Sequence, residues 1–277
     1  MKGSLLLFCL LSVFMAEAQI KRISFRAAAN YPVIPTVKTS GEFVSLSLVP
    51  GYVSQPTAIT LKERYESHMG FDLGGTLDYA VAPRFFISTG LNLAYLRFKK
   101  IVTIDGISGN DGLQMHDGNG SVTILPVGEP FGNIIDRDLN GNVTPPTQPF
   151  SMGPSEDKGN TTTLYLQVPV LIGTTFFHDK LIVRGGVSLS YLAGAAQYLD
   201  QYSYSTGTIE SYKEKSRDGY SSFLVAGTIV TTYMITRTWG IDLSVNKFLT
   251  PIYDTNQSGE KAKYTTLTLG VNYSINR

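Results

Sequence analysis

Between Thr161 and Ala196 the chain places an apolar residue at almost every second position. Leu164, Leu166, Val168, Val170, Ile172 and Phe176 share one parity, and Tyr165, Gln167, Gly173 and Thr175 share the other. That is the two-residue period of a β-strand. Phe177-His178-Asp179-Lys180 reverses the direction, after which Leu181, Val183, Val187, Leu189, Tyr191 and Ala193 resume the apolar parity opposite Arg184, Gly186, Ser188 and Ser190. Each strand is long, and its second face is small and polar. One greasy face and one small, wet face suit a barrel in lipid better than a sandwich in water.

The same alternation recurs along the chain. It predicts strands over Ile20 to Asn30, His68 to Val81, Arg84 to Ile104 and Tyr220 to Ile235, then one around Ile241 to Asn246 and a last one around Thr266 to Ile275. Tight turns fall at Ala82-Pro83, at Phe177 to Lys180 and at Thr236-Arg237-Thr238, while longer polar or Pro-rich segments occupy residues 31–67, 105–160, 201–218 and 250–262. The first of these holds Pro32, Pro35, Pro50 and Pro56, which would interrupt a central ladder, with an extra hairpin around Phe43 to Val53. Short and long connections therefore alternate strictly. The expected fold is all-β: an eight-stranded antiparallel transmembrane up-and-down β-barrel with short periplasmic turns and long extracellular loops. Aromatic residues support it, since Tyr79, Phe85, Phe176, Tyr233, Trp239 and Tyr273 sit near the tight turns and Phe71, Tyr95, Tyr191 and Phe223 near the long segments, as amphipathic rings do at two membrane interfaces.

Composition agrees with this picture. Charged residues make up 16% of the chain, below the quarter or so of soluble domains. Lys2, the apolar run Leu5 to Met15 and Ala16-Glu17-Ala18 read as a cleaved signal peptide over residues 1–18, leaving a mature domain at 19–277. The run is short for a membrane anchor. Cys9 is the single cysteine and lies inside the signal core after Phe8, so neither a disulfide nor a lipidated cysteine is expected in the mature chain. Losing Lys2 and Glu17 takes the balance from 23 minus 22 to 22 minus 21, still +1. That gives no electrostatic argument for nucleic acid.

The residues Tyr165-Leu-Gln-Val-Pro169-Val-Leu, Gly185-Gly186-Val-Ser-Leu-Ser-Tyr191 and the terminal Leu267-Thr-Leu-Gly-Val-Asn-Tyr-Ser-Ile275 resemble the small outer-membrane β-barrel proteins of the Bacteroidota, the PorT-like family, and more loosely the eight-stranded OmpA-type barrels. The resemblance covers nearly the whole mature chain and implies an outer-membrane location. It also implies assembly by the outer-membrane insertion machinery, which reads a terminal strand of this kind; the chain departs from the commonest form by ending in Arg277. Some relatives assist a secretion system, and others have no assigned activity.

The parity assignment sends Arg26, Asp78, Arg184 and Asp242 inward, which predicts a charge cluster closing the periplasmic half of the barrel, with Asp72 and Asn92 higher up. Such a cluster reads first as a structural plug and second as an ion or proton relay. Asp136, Asp138, Asn140 and Asn142 follow the spacing of a calcium loop around Gly141, although Thr147 stands where a bidentate Glu is expected. The alternative there is a polar turn. His68, His116 and His178 have no spacing that joins them to an acid and a nucleophile, so no enzyme and no cofactor besides that calcium is expected. The expected function is a non-enzymatic outer-membrane barrel, in contact with outer-membrane lipid, whose loops bind a protein of the envelope or an extracellular ligand, as an accessory of a secretion or envelope complex. A narrow pore and a soluble lipocalin-like carrier are the alternatives.

Overall fold

The computed structural model describes residues 20–44, 56–107, 112–116, 122–126, 135–137, 150–154, 160–203, 208–253 and 262–276. Residues 1–19, which include the expected signal peptide, and most of residues 105–160 lie outside them. Among the described residues there are fourteen strands and no helix: β1 (Ile20–Val33), β2 (Val37–Val44), β3 (Pro56–Ala80), β4 (Phe85–Ile107), β5 (Gly112–His116), β6 (Val122–Pro126), β7 (Ile135–Arg137), β8 (Phe150–Pro154), β9 (Asn160–Phe176), β10 (Leu181–Ser203), β11 (Thr208–Glu214), β12 (Phe223–Met234), β13 (Trp239–Phe248) and β14 (Thr265–Asn276).

Eleven of them form one antiparallel sheet, and β5, β6 and β7 form a second, three-stranded one. In the large sheet β1 pairs with β3 on one side and β14 on the other. Pairing therefore runs β1-β14-β13-β12-β10-β9-β4-β3 and back to β1, a ring of eight strands. The three predicted tight turns connect β3 to β4, β9 to β10 and β12 to β13. In the middle one, Phe177, His178 and Asp179 all have positive φ (51°, 56° and 65°). The left-handed region is costly for side chains of that bulk, and Asp tolerates it best of the three.

The long segments differ from expectation. Residues 31–67 are mostly strand, not loop: β1 runs on past Asn30, three residues intervene, and β2 continues alongside β3. The last β1–β3 pair is Asn30↔Gly70 and the first β2–β3 pair is Val37↔Glu63, so the register resumes without a slip. Pro32 and Pro35 fall in the gap, where a missing N–H breaks no pairing with β3. Likewise β4 extends to Ile107, β10 extends to Ser203, and β11, within the expected loop 201–218, folds back on β10.

Some glycines mark close approaches between neighbouring strands. A methyl group on Gly90 would run into the carbonyl oxygen of Gly75 and the Cα of Thr76, both backbone atoms that cannot swing aside. Gly90→Ala is expected to destabilise the fold by about 1–3 kcal/mol, read as a lowered urea midpoint with an unchanged slope.

Candidate functional site

The two faces of the ring have opposite chemistry, and the inward face holds the charges. Alternation puts Phe86, Ser88, Asn92, Ala94, Leu96 and Phe98 of β4 inside and leaves Phe85 and Leu91 outside. From the tight turns upward, the interior starts with a small apolar group, Phe86, Ile182 and Met234. Charges come next, then the small polar side chains of Gln167, Ser188, Thr228, Asn246 and Thr268, all buried. At the long-segment end the interior turns apolar again, where Tyr65, Phe98, Tyr165, Phe248, Tyr253 and Tyr264 belong to one buried cluster. Phe248 and Tyr264 stack with centroids 4.0 Å apart.

The four charges singled out in the sequence all lie inside, but in two groups. In the lower group Arg184 reaches across the interior from β10 to β3, with Nη2 donating to Asp78 Oδ2 at 2.9 Å and Nε to Asp78 Oδ1 at 3.4 Å. Its Nη1 donates to Thr232 Oγ1 at 3.0 Å, and its guanidinium stands 5.5 Å from the centroid of the Phe86 ring. That ring packs over Gly173, where a Cβ would collide with it, so glycine makes the space that aims the arginine. Ser88 Oγ donates to Asp78 at 2.5 Å, and Arg22 Nη1 lies 3.8 Å from the same carboxylate. The upper group centres on Arg26, 3.9 Å from Asp72 and 4.0 Å from Asp242, with a 2.8 Å hydrogen bond to Ser244. Asn272 donates to Asp242 at 3.1 Å.

Arg22 is the member that sequence reading missed, although it shares the parity of Ser24 and Arg26. With it, three guanidiniums face three carboxylates, Asp72, Asp78 and Asp242, all three carboxylates nearly fully buried. Each desolvated charge thus has an opposite charge beside it, the condition on which such burial is tolerable. A cavity of about 30 Å³ lies among Arg26, Asp72, Asn92, Arg184, Asp242 and Asn272, room for about one water.

The other sequence candidates fall elsewhere. Asp136 is in β7, paired with Thr123, while Asp138, Asn140 and Asn142 lie outside the described residues. Among the described residues no group of three or more His, Cys, Asp and Glu could hold a metal ion. His68 is in β3, His116 in β5 and His178 in the β9–β10 turn.

In that turn, the hydrogen bond with Thr175 holds the Asp179 carboxyl below its ordinary value of 3.8, helped by Lys21, Arg22 and His178 against partial burial. A depressed carboxylate contributes stability that is present above the unfolded-state value and is lost as pH falls through the folded one. The stability gap between the wild type and Asp179→Asn is therefore expected to close only below the usual carboxylate range, measured by urea unfolding across acid pH.

No family model and no curated protein matches the chain. Similar solved structures include OprG of Pseudomonas aeruginosa, an outer membrane protein (11% identity, 94% of this chain and 98% of that one, TM-score 0.42). Ail, the attachment invasion locus protein of Yersinia pestis, was solved with the heparin analogue sucrose octasulfate (12% identity, 93% and 100%, TM-score 0.37). The outer membrane protease OmpT of Escherichia coli is a third (10% identity, 94% and 98%, TM-score 0.28).

Proposed function

We propose that the chain is an eight-stranded β-barrel spanning the outer membrane, closed to solute flow, whose projecting strands and loops bind a partner of the envelope or its exterior without catalysis. The observation that carries this reading is the inverted polarity of the ring. Three arginines and three aspartates are inside, while Leu73, Leu91, Val170, Ile172, Val187, Leu189, Ile229, Leu243, Leu269 and Val271 are exposed outside. A contiguous apolar surface of that kind is a lipid-facing one.

Its height fits. On β9 the exposed apolar residues run from Leu166 to Phe176, about 33 Å at about 3.3 Å per residue, which a strand tilt of about 40° reduces to the roughly 25 Å of an outer-membrane apolar band. Aromatic pairs edge it: Trp239 and Tyr273, with centroids 5.0 Å apart, at the tight-turn end, and Tyr191 and Phe223, 5.1 Å apart, at the other. A lipocalin-like carrier would need the reverse polarity, with its apolar face inside. Apolar side chains at both ends of the interior and a cavity of about 30 Å³ between them weigh against a pore.

Crossing a membrane takes about 9–11 residues of strand, and β3, β4 and β10 have 25, 23 and 23. About a dozen residues of each stand beyond the band at the long-segment end, with β2, β8 and β11 paired to them. This projecting sheet is the surface offered to a partner.

Electrophoresis of the detergent-purified protein with and without boiling tests the barrel. Faster migration of the unheated form is expected, and a protein that is soluble without detergent and migrates identically in both states would overturn the reading. Single-channel recordings in planar bilayers are expected to show no discrete conductance. Affinity capture from solubilised outer membranes tests the partner, and recovery of the chain alone counts against it.

A further inference from the structure

The outer wall at the long-segment end is not uniform around the ring. Where β10 leaves the apolar band, its register against β9 shifts between Leu192 and Gly194, and Ala193-Gly194-Ala195-Ala196 follow with almost no side-chain bulk. The wall is recessed there. A cavity of about 410 Å³ is lined by Leu164, Ala193, Gly194, Tyr95, Lys215 and Arg217 among others. A second of about 380 Å³ shares Tyr95 and Thr162 with it and continues along Arg97, Tyr198 and Lys213. Each is within the size range of ligand sites.

The lining combines small, apolar and hydroxyl side chains with four cations. Tyr95 is stacked on Phe71 at 4.9 Å in the upper aromatic row, so the recess begins at the level where the apolar band ends. Arg217 Nη1 reaches the hydroxyl of the outward-facing Tyr191 at 3.4 Å, and Lys213 Nζ lies 5.7 Å over the Tyr198 ring. Of the nearby carboxylates, Glu214 accepts from Gln197 at 3.3 Å, Asp218 from Ser216 at 2.8 Å and Asp200 from Ser211. Arg97, Lys213, Lys215 and Arg217 bring four cations to the lining of these two cavities, beside Leu164, Ala193 and Ala195.

We propose that this recess holds a phosphate-bearing lipid of the outer leaflet, with its phosphate among Arg97, Lys213, Lys215 and Arg217 and an acyl chain against Leu164 and Ala193. Guanidinium and ammonium groups match phosphate oxygens, and basic residues beside a bilayer draw anionic lipid to it. The small side chains admit a chain that a leucine or phenylalanine there would exclude. The inference rests on the barrel reading above.

The test is native mass spectrometry of the full chain in nanodiscs of phosphatidylcholine doped with phosphatidylglycerol, or with a phosphorylated glycolipid. Selective retention of the anionic lipid over phosphatidylcholine is expected. Arg97→Ala/Lys215→Ala/Arg217→Ala should weaken it about a hundredfold, at about fivefold per cation. Lys38→Ala/Lys62→Ala/Arg64→Ala removes as many cations from β2 and β3 and should leave it unchanged. Equal retention of both lipids, equal losses in the two triple variants, or displacement by millimolar inorganic phosphate alone would each overturn the proposal. A chain that never enters the nanodisc fails the barrel reading instead, which keeps the two failures apart.

Discussion

Asp78→Ala is expected to destabilise the folded protein by about 3–5 kcal/mol, the range for breaking a buried ion pair. Asp78 accepts two hydrogen bonds from Arg184 and one from Ser88, and has Arg22 beside it. Truncation removes the carboxylate that Arg184 and Arg22 share and leaves their two guanidiniums close together in the interior. The loss should appear as a lower urea midpoint at constant slope in detergent or liposomes. Removing the charges together is a different matter. Asp78→Leu with Arg22→Met and Arg184→Met is expected to recover most of the loss, because apolar groups of similar volume often replace a buried ionic triad at little cost. A single-variant effect below about 1 kcal/mol would mean that the cluster behaves as an exposed ion pair and is not desolvated.

The second large effect belongs to the outer face. Ile229 is 59% exposed near the middle of β12, facing outward, and Ile229→Arg is expected to cost about 2–4 kcal/mol when the protein is folded into lipid. Tyr191 lies in the upper aromatic row, and Tyr191→Arg should cost only about 0–1 kcal/mol. Depth, not residue type, sets the difference. Measured in liposomes, equal costs at the two positions would show that the exposed face of the ring does not sit in a bilayer.

How much of this could be read from the sequence depended on what each strand face meets. Leu166, Val168, Val170 and Ile172 face outward, opposite Gln167, Gly173 and Thr175, and with Pro169 and Leu171 as the only apolar members of that stretch's inward parity the period of β9 and β10 was legible at once. The same parity brought Arg26, Asp78, Arg184 and Asp242 inside, but it carries no information on partners across the interior. Arg184 finds Asp78 three strands away around the ring, and Arg26 finds Asp72. The upper interior was not legible. There Tyr165, Phe98 and Phe248 fill inward positions that lower down are polar, so both faces are apolar and the alternation disappears. Beyond the band neither face is forced to be apolar, and a stretch such as Thr60-Leu61-Lys62-Glu63-Arg64 reads as a loop although it is paired strand. Glycine contacts such as Phe86 over Gly173 depend on register, which no single strand reveals.

The pairing of β1 with β14 also has a meaning in time. These are the first and last of the fourteen strands, and their ladder runs from Arg22↔Asn276 to Val33↔Thr265. Every other pairing in the ring joins strands that lie nearer in the chain, the widest gap running from Ile107 of β4 to Asn160 of β9, and none of them needs the last strand to be present. This one must wait for the last strand to arrive. Until then both edges of the curved sheet stand open, and Arg22 and Arg26 on β1 cannot meet the wall that shields them. Insertion into lipid before that moment would expose unpaired backbone to hydrocarbon. For the barrel proposed above, the seam would make closure the last step of folding, and a chain short of its last dozen residues is expected to lack the fast-migrating unheated form on gels instead of populating a half-built ring.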